Sequence, residues 1–204
     1  MTQRSAFVVD YDVPRETSAQ FDVYAAMLAE WQQRMNLVGP RTLPDIWNRH
    51  FADSAQLLVV AGRGRSWLDM GAGAGFPGLV IALLDPTAKL TLVESIAKKC
   101  LFLTEASAAL GLANRVSIAN CRVEALPLQI FDIITARALA SLNQLFEWAL
   151  PYAGAQTKWV LPKGARVTSE LADARIHYAF DFELVMSRTD HHGRIVVAHE
   201  VKRR

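Results

Sequence analysis

The sequence lacks the features that mark several large classes of protein. It has 2 cysteines in 204 residues, Cys100 and Cys121, so it can form neither a disulfide framework nor a cysteine-based metal site. No apolar run approaches the roughly 18 residues of a membrane span, and the first residues contain no apolar signal core. We therefore expect a reduced, cytoplasmic protein that has no membrane partner.

Strong charge of either sign is also missing. Lysine and arginine number 22 against 20 acidic residues, a net charge of +2, which is too small to predict nucleic-acid binding from bulk charge. Hydrophobic residues make up 51% of the chain and charged residues 21%, a balance typical of a globular domain. Short basic groups, Lys98-Lys99 and Lys202-Arg203-Arg204, are compatible with a local basic face.

Hydrophobic spacing predicts a helical cap at the start of the chain. Apolar residues recur at spacings of three and four from about Thr17 to Val38, as on one face of an amphipathic helix. Gly39-Pro40 stops this helix, and a second helix is expected from Pro44 to just before Gly62. Residues 1–15 are expected to be irregular.

Beyond residue 63, strand and helix patterns alternate, which is typical of an α/β sheet with helices on its faces. Strands are predicted at Ser66–Met70, Lys89–Glu94, Arg115–Ala119, Phe131–Thr135 and Lys158–Leu161. Helices are predicted from after Gly75 to about Leu84, at Ile96–Gly111 and Ser141–Leu150, and from after Gly164 to about Tyr178. Phe180–Met186 and Arg194–His199 are expected to form a final antiparallel hairpin. We predict one domain over residues 1–204, with the cap at 1–62 and a Rossmann-like core at 63–204.

A glycine-rich stretch follows the first predicted strand. Four glycines, Gly71, Gly73, Gly75 and Gly78, fall within eight residues. Glycine permits positive φ angles and lets a ligand approach the backbone, and a helix that begins after such a turn presents free N–H groups. The stretch predicts a nucleotide-type cofactor across the carboxyl end of this strand.

Two overlapping patterns in this stretch favour different cofactors. Gly73-x-Gly75-x-x-Gly78 fits the dinucleotide fingerprint, and a nicotinamide-dependent oxidoreductase therefore stays open as an alternative. Asp69-x-Gly71 places a carboxylate at the ligand, which favours a cationic cofactor such as S-adenosylmethionine and would repel a pyrophosphate. Glu94, at the end of the second strand, can accept hydrogen bonds from ribose hydroxyls of either cofactor.

Several motifs together resemble one known family. They are Arg49-His50-x-x-Asp53-Ser54, the stretch from Asp69 to Gly78 with its Phe76-Pro77-Gly78 end, Arg122-Val123-Glu124, Arg137-Ala138-x-Ala140-Ser141-Leu142, and Lys163-Gly164. Over about residues 20 to 200 the chain resembles the glucose-inhibited-division protein B family, the bacterial 16S ribosomal RNA guanine-N7 methyltransferases. The chain departs modestly from that pattern, with Glu94 for a more usual Asp, Phe76 for Leu, and Pro162 before Lys163.

The resemblance implies a class I methyltransferase fold that uses S-adenosylmethionine. It places cofactor contacts at Gly71, Phe76, Val123, Glu124 and Arg137, in addition to Asp69, Gly73 and Glu94, to which the residue pattern points. It implies 16S ribosomal RNA, free or in a small ribosomal subunit or an assembly intermediate, as the partner of a monomeric enzyme.

The residues after the fourth strand agree with methylation of guanine N7. Neither cysteine is placed as the thiolate needed for pyrimidine C5 chemistry, and Thr135-Ala136-Arg137-Ala138 replaces the Pro-Pro loop that commonly holds an exocyclic amine. Guanine N7 has a free lone pair and no proton to lose, so it needs no general base. Arg137 is the predicted catalytic residue, because its rigid donor fork can hold a cofactor carboxylate, guanine O6 or a phosphate. A non-catalytic RNA-binding assembly factor stays open as a second alternative.

Predicted RNA contacts come from three segments. Arg49 and His50 lie on the cap, Arg137 follows the fourth strand, and Lys163 follows the fifth. Asp53, three residues after His50, is its expected hydrogen-bond partner. His191 and His192 are expected in a hairpin turn, and without a Cys or acidic partner at ligand spacing they predict no metal site.

Overall fold

The computed structural model describes residues 1–63 and 65–204, so Gly64 lies outside the described residues. A seven-stranded sheet has the order β3-β2-β1-β4-β5-β7-β6, in which β7 runs antiparallel to both of its neighbours. The strands are β1 Ser66–Met70, β2 Lys89–Val93, β3 Val116–Ala119, β4 Phe131–Ala136, β5 Ala153–Lys163, β6 Tyr178–Met186 and β7 Arg194–Arg203. The helices are α1 Gln3–Asp10, α2 Arg15–Gln32, α3 Asp53–Ala61, α4 Gly78–Leu84, α5 Ala97–Ala109, α6 Leu142–Ala149 and α7 Val167–His177.

The strand order reverses between β1 and β4, which lie side by side in the middle of the sheet. In open sheets of this kind the ligand crevice lies beyond the carboxyl ends of the strands at such a switch point. The glycine-rich loop directly follows β1 and therefore lies in this crevice. The predicted α/β class and terminal antiparallel hairpin are confirmed.

The helical cap packs on one face of the sheet. Phe21, Tyr24 and Phe51 are each 0% exposed and belong to the same hydrophobic cluster as side chains of β1, β2 and α4. A second cluster, under α6 and α7, covers the opposite face. The Tyr24 hydroxyl donates a hydrogen bond to the carbonyl of Ala74, so the cap also fixes the glycine-rich loop from outside the sheet.

Two predictions for the start of the chain are wrong. Residues 1–15 are not irregular, because Thr2 caps α1 by accepting from the Ser5 N–H and Phe7 packs against Phe21, with ring centroids 4.9 Å apart. The next helix ends at Gln32 instead of continuing to Val38. The Gln32 side chain accepts the N–H groups of Leu37 and Val38 and so replaces the helix with a compact turn.

The second predicted cap helix is divided into three pieces. A 3₁₀ turn at Leu43–Asp45 leads into a π-helical turn at Trp47–Ala52, and only then does α3 begin. Two other 3₁₀ turns lie at Val123–Ala125 and Leu150–Tyr152. Within the described part of the chain, no helix is both long and apolar enough to cross a membrane.

Candidate active site

A cleft with a volume of about 830 Å³ lies over the carboxyl ends of β1, β2 and β4. Its floor is the glycine-rich loop, and its walls come from the cap, from the segment after β4 and from the turn between β6 and β7. This volume suits a nucleoside-sized ligand with part of a second substrate.

The glycine-rich loop is shaped by backbone hydrogen bonds. The N–H groups of Gly71 and Ala72 both donate to the carbonyl of Val93, at 2.8 and 3.0 Å. Gly71 and Gly73 have φ values of +67° and +56°, a region that side-chain-bearing residues rarely adopt. A Cβ on Gly73 would meet only the Gly71 carbonyl, at 3.7 Å, so space over the loop is open to a ligand.

Glu94 holds the far side of this loop. Its carboxylate accepts the Gly73 N–H at 3.0 Å and the Ile96 N–H at 2.9 Å, and the residue is 6% exposed. A carboxylate has about four acceptor positions, so both oxygens retain capacity for ribose hydroxyls. These residues therefore fit S-adenosylmethionine, because a ribose diol needs acceptors of this kind beside an open glycine-rich loop.

Asp69 lies beneath the loop and is not part of the cleft lining. Its carboxyl is 0% exposed and accepts the Gly78 N–H at 2.9 Å, and the other oxygen has no hydrogen-bond partner among the described residues. Burial raises the pKa of Asp69 to about 7, against the Gly78 hydrogen bond, which lowers it. A direct contact between Asp69 and the cofactor stays a prediction. In the structure, Asp69 supports the glycine-rich loop through its hydrogen bond with Gly78.

Arg137 occupies the opposite wall, where three other groups hold its guanidinium. Nη1 donates to the Arg49 carbonyl at 3.2 Å and to Asp53 Oδ2 at 3.3 Å, and Nη2 donates to His50 Nδ1 at 3.0 Å. The side chain is 19% exposed. Of its five donors, Nε–H and one Nη2–H have no acceptor within the described residues and are available to a ligand.

His50 is an uncharged part of this wall. Burial, with the Arg137 and Arg49 charges, lowers the pKa of His50 to about 3. Because an arginine only donates, His50 Nδ1 must be the acceptor, and Nε2 therefore carries the proton. The Nε2–H donates a hydrogen bond to Thr42 Oγ1 at 2.8 Å. The predicted His50–Asp53 pair is wrong: both residues bind Arg137 instead.

The π-helical turn at Trp47–Ala52 explains that difference. In an α-helix, residues at i and i+3 lie next to each other. The wider turn lets the Arg49 carbonyl, the His50 ring and the Asp53 carboxylate all meet one guanidinium. Single π turns occur frequently at functional sites.

Phe76 lies between the two walls. Its ring stacks on His50 at 4.9 Å and on Tyr24 at 5.4 Å, and the Arg137 guanidinium lies 5.0 Å from its centroid. It lines the cleft although it is only 3% exposed. The aromatic ring therefore sets the position of Arg137 relative to the glycine-rich loop.

The remaining predicted residues lie at the rim. Val123 is buried and Glu124 is exposed, and both line the end of the cleft nearest Glu94. Arg49 is exposed at the opposite rim. Lys163 also lines the cleft, but its ammonium donates to the Ala140 carbonyl at 2.6 Å and pairs with Glu170 at 2.9 Å. An RNA contact of Lys163 stays a prediction, because in this structure its ammonium group is already bound by groups of the protein.

The residues that fix Arg137 from a distance are absent from the sequence-based prediction. The sequence suggests Asp53 only as a partner of His50, and it gives no sign of Thr189, whose hydroxyl donates to Asp53 Oδ1 at 2.7 Å. Leu139 is also missing from that prediction; its side chain covers Gly71, where a Cβ would lie 2.7 Å from Leu139 Cδ1. No local pattern signals contacts between segments so far apart.

Fold and site together define a class I S-adenosylmethionine-dependent methyltransferase. A putative methyltransferase of this type from Methanococcus maripaludis superimposes with a TM-score of 0.60 at 11% identity, covering 80% of this chain and 93% of that chain. An S-adenosylmethionine-dependent methyltransferase from Aquifex aeolicus gives 0.56 at 17% identity, with 72% and 88% covered.

The family follows from sequence comparison. The model of the GidB family, described as rRNA small subunit methyltransferase G, matches residues 17–195, and the chain belongs to this family. The ribosomal RNA small subunit methyltransferase G of Methylorubrum extorquens is 43% identical, covering 95% of this chain and 93% of that protein. The protein of the same name from Rhodospirillum rubrum is 42% identical, with 97% and 98% covered.

Proposed function

We propose that this chain transfers the methyl group of S-adenosylmethionine to N7 of a guanine in 16S ribosomal RNA. The main observation that supports this proposal is that one cleft has two chemically different walls. One wall is a glycine-rich loop with a carboxylate at its tip, and the other is an arginine that keeps free donors. Membership of the GidB family supports the ribosomal RNA substrate, and the N7 position comes from the family resemblance and from the chemistry below.

The loop wall would hold the cofactor. Glu94 would accept the ribose hydroxyls, Gly71 and Gly73 would allow close approach of the backbone, and Val123 with Glu124 would border the adenine. When bound, S-adenosylmethionine supplies an electrophilic methyl group on a sulfonium. The protein has to align the guanine with that methyl, and such positioning provides much of the rate.

The absence of a free general base near Arg137, within the residues that the structure describes, supports N7 as the target. His50 uses both ring nitrogens in hydrogen bonds, and Asp53 is held by Arg137 and Thr189. An exocyclic amine would have to lose a proton during methylation, whereas N7 loses none. A wall that offers donors and no proton acceptor therefore suits N7.

Arg137 is the proposed catalytic residue. Its remaining Nε–H and Nη2–H can donate to guanine O6, which lies beside N7, or to the cofactor carboxylate. His50, Asp53 and Phe76 act through it as positioning residues. Arg49, exposed at the rim, is the proposed phosphate contact of the cap.

Mapping of N7-methylguanosine in 16S ribosomal RNA from cells with and without the gene tests the proposal directly. We expect one guanine to lose its methyl group in the deletion strain, and purified protein to restore it with S-adenosylmethionine. An unchanged methylation map would contradict the N7 assignment.

The two other classes have distinct signatures. A nicotinamide oxidoreductase would bind NADH and not S-adenosylmethionine in calorimetry. A non-catalytic assembly factor would bind small-subunit RNA but transfer no radiolabelled methyl group to it. That the enzyme acts as a monomer in the cytoplasm belongs to the same proposal, and sedimentation of the purified protein tests the first part.

A further inference from the structure

The turn between β6 and β7 lies at the same edge of the sheet as the cleft. Arg194, the first residue of β7, pairs with Lys163, the last residue of β5. The turn, residues 187–193, therefore projects beyond the carboxyl ends of the parallel strands. Ser187, Thr189 and Asp190 belong to the lining of the cleft, although sequence motifs assign this turn no role.

Two partly buried contacts fasten the turn to the cap. The Gln56 side chain, 3% exposed, accepts the Arg188 N–H at 2.8 Å and donates to Asp53 Oδ1 at 2.9 Å. The Thr189 hydroxyl donates to the same Asp53 oxygen at 2.7 Å. The other Asp53 oxygen binds Arg137, so one carboxylate joins the turn to the proposed catalytic residue.

The outer side of the turn carries basic residues. Arg188, His191 and His192 are exposed or partly exposed, and Arg49 of the cap lies at the same rim. Within residues 1–63 and 65–204, neither Arg188 nor Arg49 forms an ion pair with a carboxylate. Burial raises the pKa of Tyr11, and the nearby charge of Arg188 opposes this rise.

The carboxylate of the turn, Asp190, is held in its charged form by its neighbours. Asp190 accepts the His192 N–H at 2.9 Å. That backbone hydrogen bond first, and then the charges of Arg49 and His192, lower the pKa of Asp190. Asp190 therefore keeps its negative charge beside Arg49, while the Arg188 side chain is exposed to the solvent.

We propose that residues 187–193 form an RNA-contact arm, which binds backbone phosphates beside the target guanine and is held in register with Arg137 by Asp53. The proposal rests on the proposed function, because it takes ribosomal RNA as the occupant. Exposed cations complement a phosphate backbone, and contacts of that kind fix the register of a nucleic acid on a protein. The arm would place the RNA, while Arg137 acts on the base.

The test compares a variant of the arm with a control variant at a surface position outside the cleft. Arg188→Ala with His192→Ala removes two of the three outer basic side chains of the arm, and Lys89→Ala removes an exposed cation at the start of β2, on the opposite edge of the sheet. Binding of in vitro transcribed 16S RNA and of unmethylated small-subunit particles is measured over a range of salt concentrations. KM for S-adenosylmethionine and thermal unfolding serve as checks on the fold.

We expect the arm variant to bind RNA about tenfold more weakly. The slope of log K against log salt should fall by about 0.7 to 0.9 for each phosphate that the variant no longer neutralises. The KM for S-adenosylmethionine should not change. Arg188→Lys, which keeps the charge, should retain the slope. If Arg188 had a purely structural role, the slope would be unaltered in the arm variant as well as in Arg188→Lys.

Thr189→Val tests the connection to Arg137 while it leaves every cation in place. We expect kcat to fall about tenfold with little change in KM for RNA, because the arm still binds but is no longer aligned with the base. Unchanged kcat would overturn the connection through Asp53.

Two further outcomes would overturn the arm itself. RNA affinity equal to that of Lys89→Ala would show that the turn contacts no phosphate. Weakened binding to particles with unchanged binding to naked RNA would identify a ribosomal protein as the occupant. Failure of the unmutated protein to transfer methyl groups would instead contradict the proposed function, and the salt dependence of RNA binding would still decide the role of the arm.

Discussion

The two walls of the cleft are held together in different ways. The loop wall depends mainly on backbone hydrogen bonds, as in those from the Gly71 and Ala72 N–H groups to the Val93 carbonyl at the end of the neighbouring strand. The Arg137 wall depends on side chains from distant segments: Asp53 lies 84 residues from Arg137 and 136 residues from Thr189. The first wall is therefore robust to most side-chain changes, and the second can be dismantled one contact at a time.

The largest effect is expected from Gly71→Val, which attacks the loop wall. A valine there would adopt φ of +67° and place its Cβ 2.7 Å from Leu139 Cδ1. The Leu139 side chain, which lines the cleft, would then have to shift beside the space proposed for the cofactor. We expect calorimetry to show S-adenosylmethionine affinity reduced by at least about 100-fold, with the fold retained at a cost of about 1–3 kcal/mol of backbone strain.

Gly111→Val is the matched control for this change. Gly111 has φ of +70°, and a Cβ there meets nothing within 4 Å. It follows α5, away from the cleft, so it introduces comparable strain without an obstacle to the cofactor. If both variants lose affinity equally, strain rather than obstruction is the cause, and the placement of the loop under the cofactor is wrong.

Arg137→Ala comes next and attacks the other wall. Loss of the guanidinium removes the donors that face the substrate, and we expect kcat to fall by roughly 100-fold or more, the usual size for a missing transition-state donor. Thermal stability should fall as well, because the side chain is only 19% exposed and Asp53 and His50 lose a partner, so kcat is measured on folded protein below the unfolding transition. Unchanged specific activity in a destabilised variant would give Arg137 a structural role only.

Asp53→Asn should have a smaller effect of the same kind. The amide can still accept from Thr189, but its contact with Arg137 loses the charge, so we expect kcat to fall about tenfold through misplacement of Arg137. Combined with Arg137→Ala, it should add almost nothing, because the two act through one contact. A fully additive double variant in steady-state kinetics would show that Asp53 acts independently.

The last prediction concerns the pH dependence of stability, in which two contributions oppose each other. The raised pKa of Asp69, from 3.8 to about 7, means that the folded state keeps this proton longer than the unfolded state. Its contribution is complete below about pH 4 and is lost as the pH rises to about 7. The lowered pKa of His50, from 6.5 to about 3, acts oppositely: its contribution is complete above about pH 6.5 and is lost as the pH falls.

Asp69→Asn separates these two contributions. Without the carboxyl group, the stability of the variant relative to the unmutated protein should rise between about pH 4 and pH 7 and then stay constant. Denaturant unfolding at about pH 4, 5.5, 7 and 8 measures this difference. A difference that does not vary with pH would mean that Asp69 is ionised throughout the range.

The contrast between the walls also accounts for what the sequence could predict. The strands, the glycine-rich loop and Glu94 were predicted because each is encoded by a local pattern of spacing. The fit of Asp53 and Thr189 around Arg137 could not be predicted, since it depends on the packing of the cap against the sheet. The helix at Gln3–Asp10 was missed for the same reason: its burial of Phe7 depends on partners elsewhere.

The π-helical turn at Trp47–Ala52 has a consequence for chain length. Each residue of an α-helix advances the direction of the side chains by about 100°. Removal of one residue from this segment would let it relax to a regular α-helix, in which the Arg49 carbonyl, the His50 ring and the Asp53 carboxylate would no longer meet one guanidinium. We expect exposed residues of the segment to tolerate substitution. A single insertion or deletion would instead separate the groups that meet at Arg137. The number of residues here is the constrained quantity.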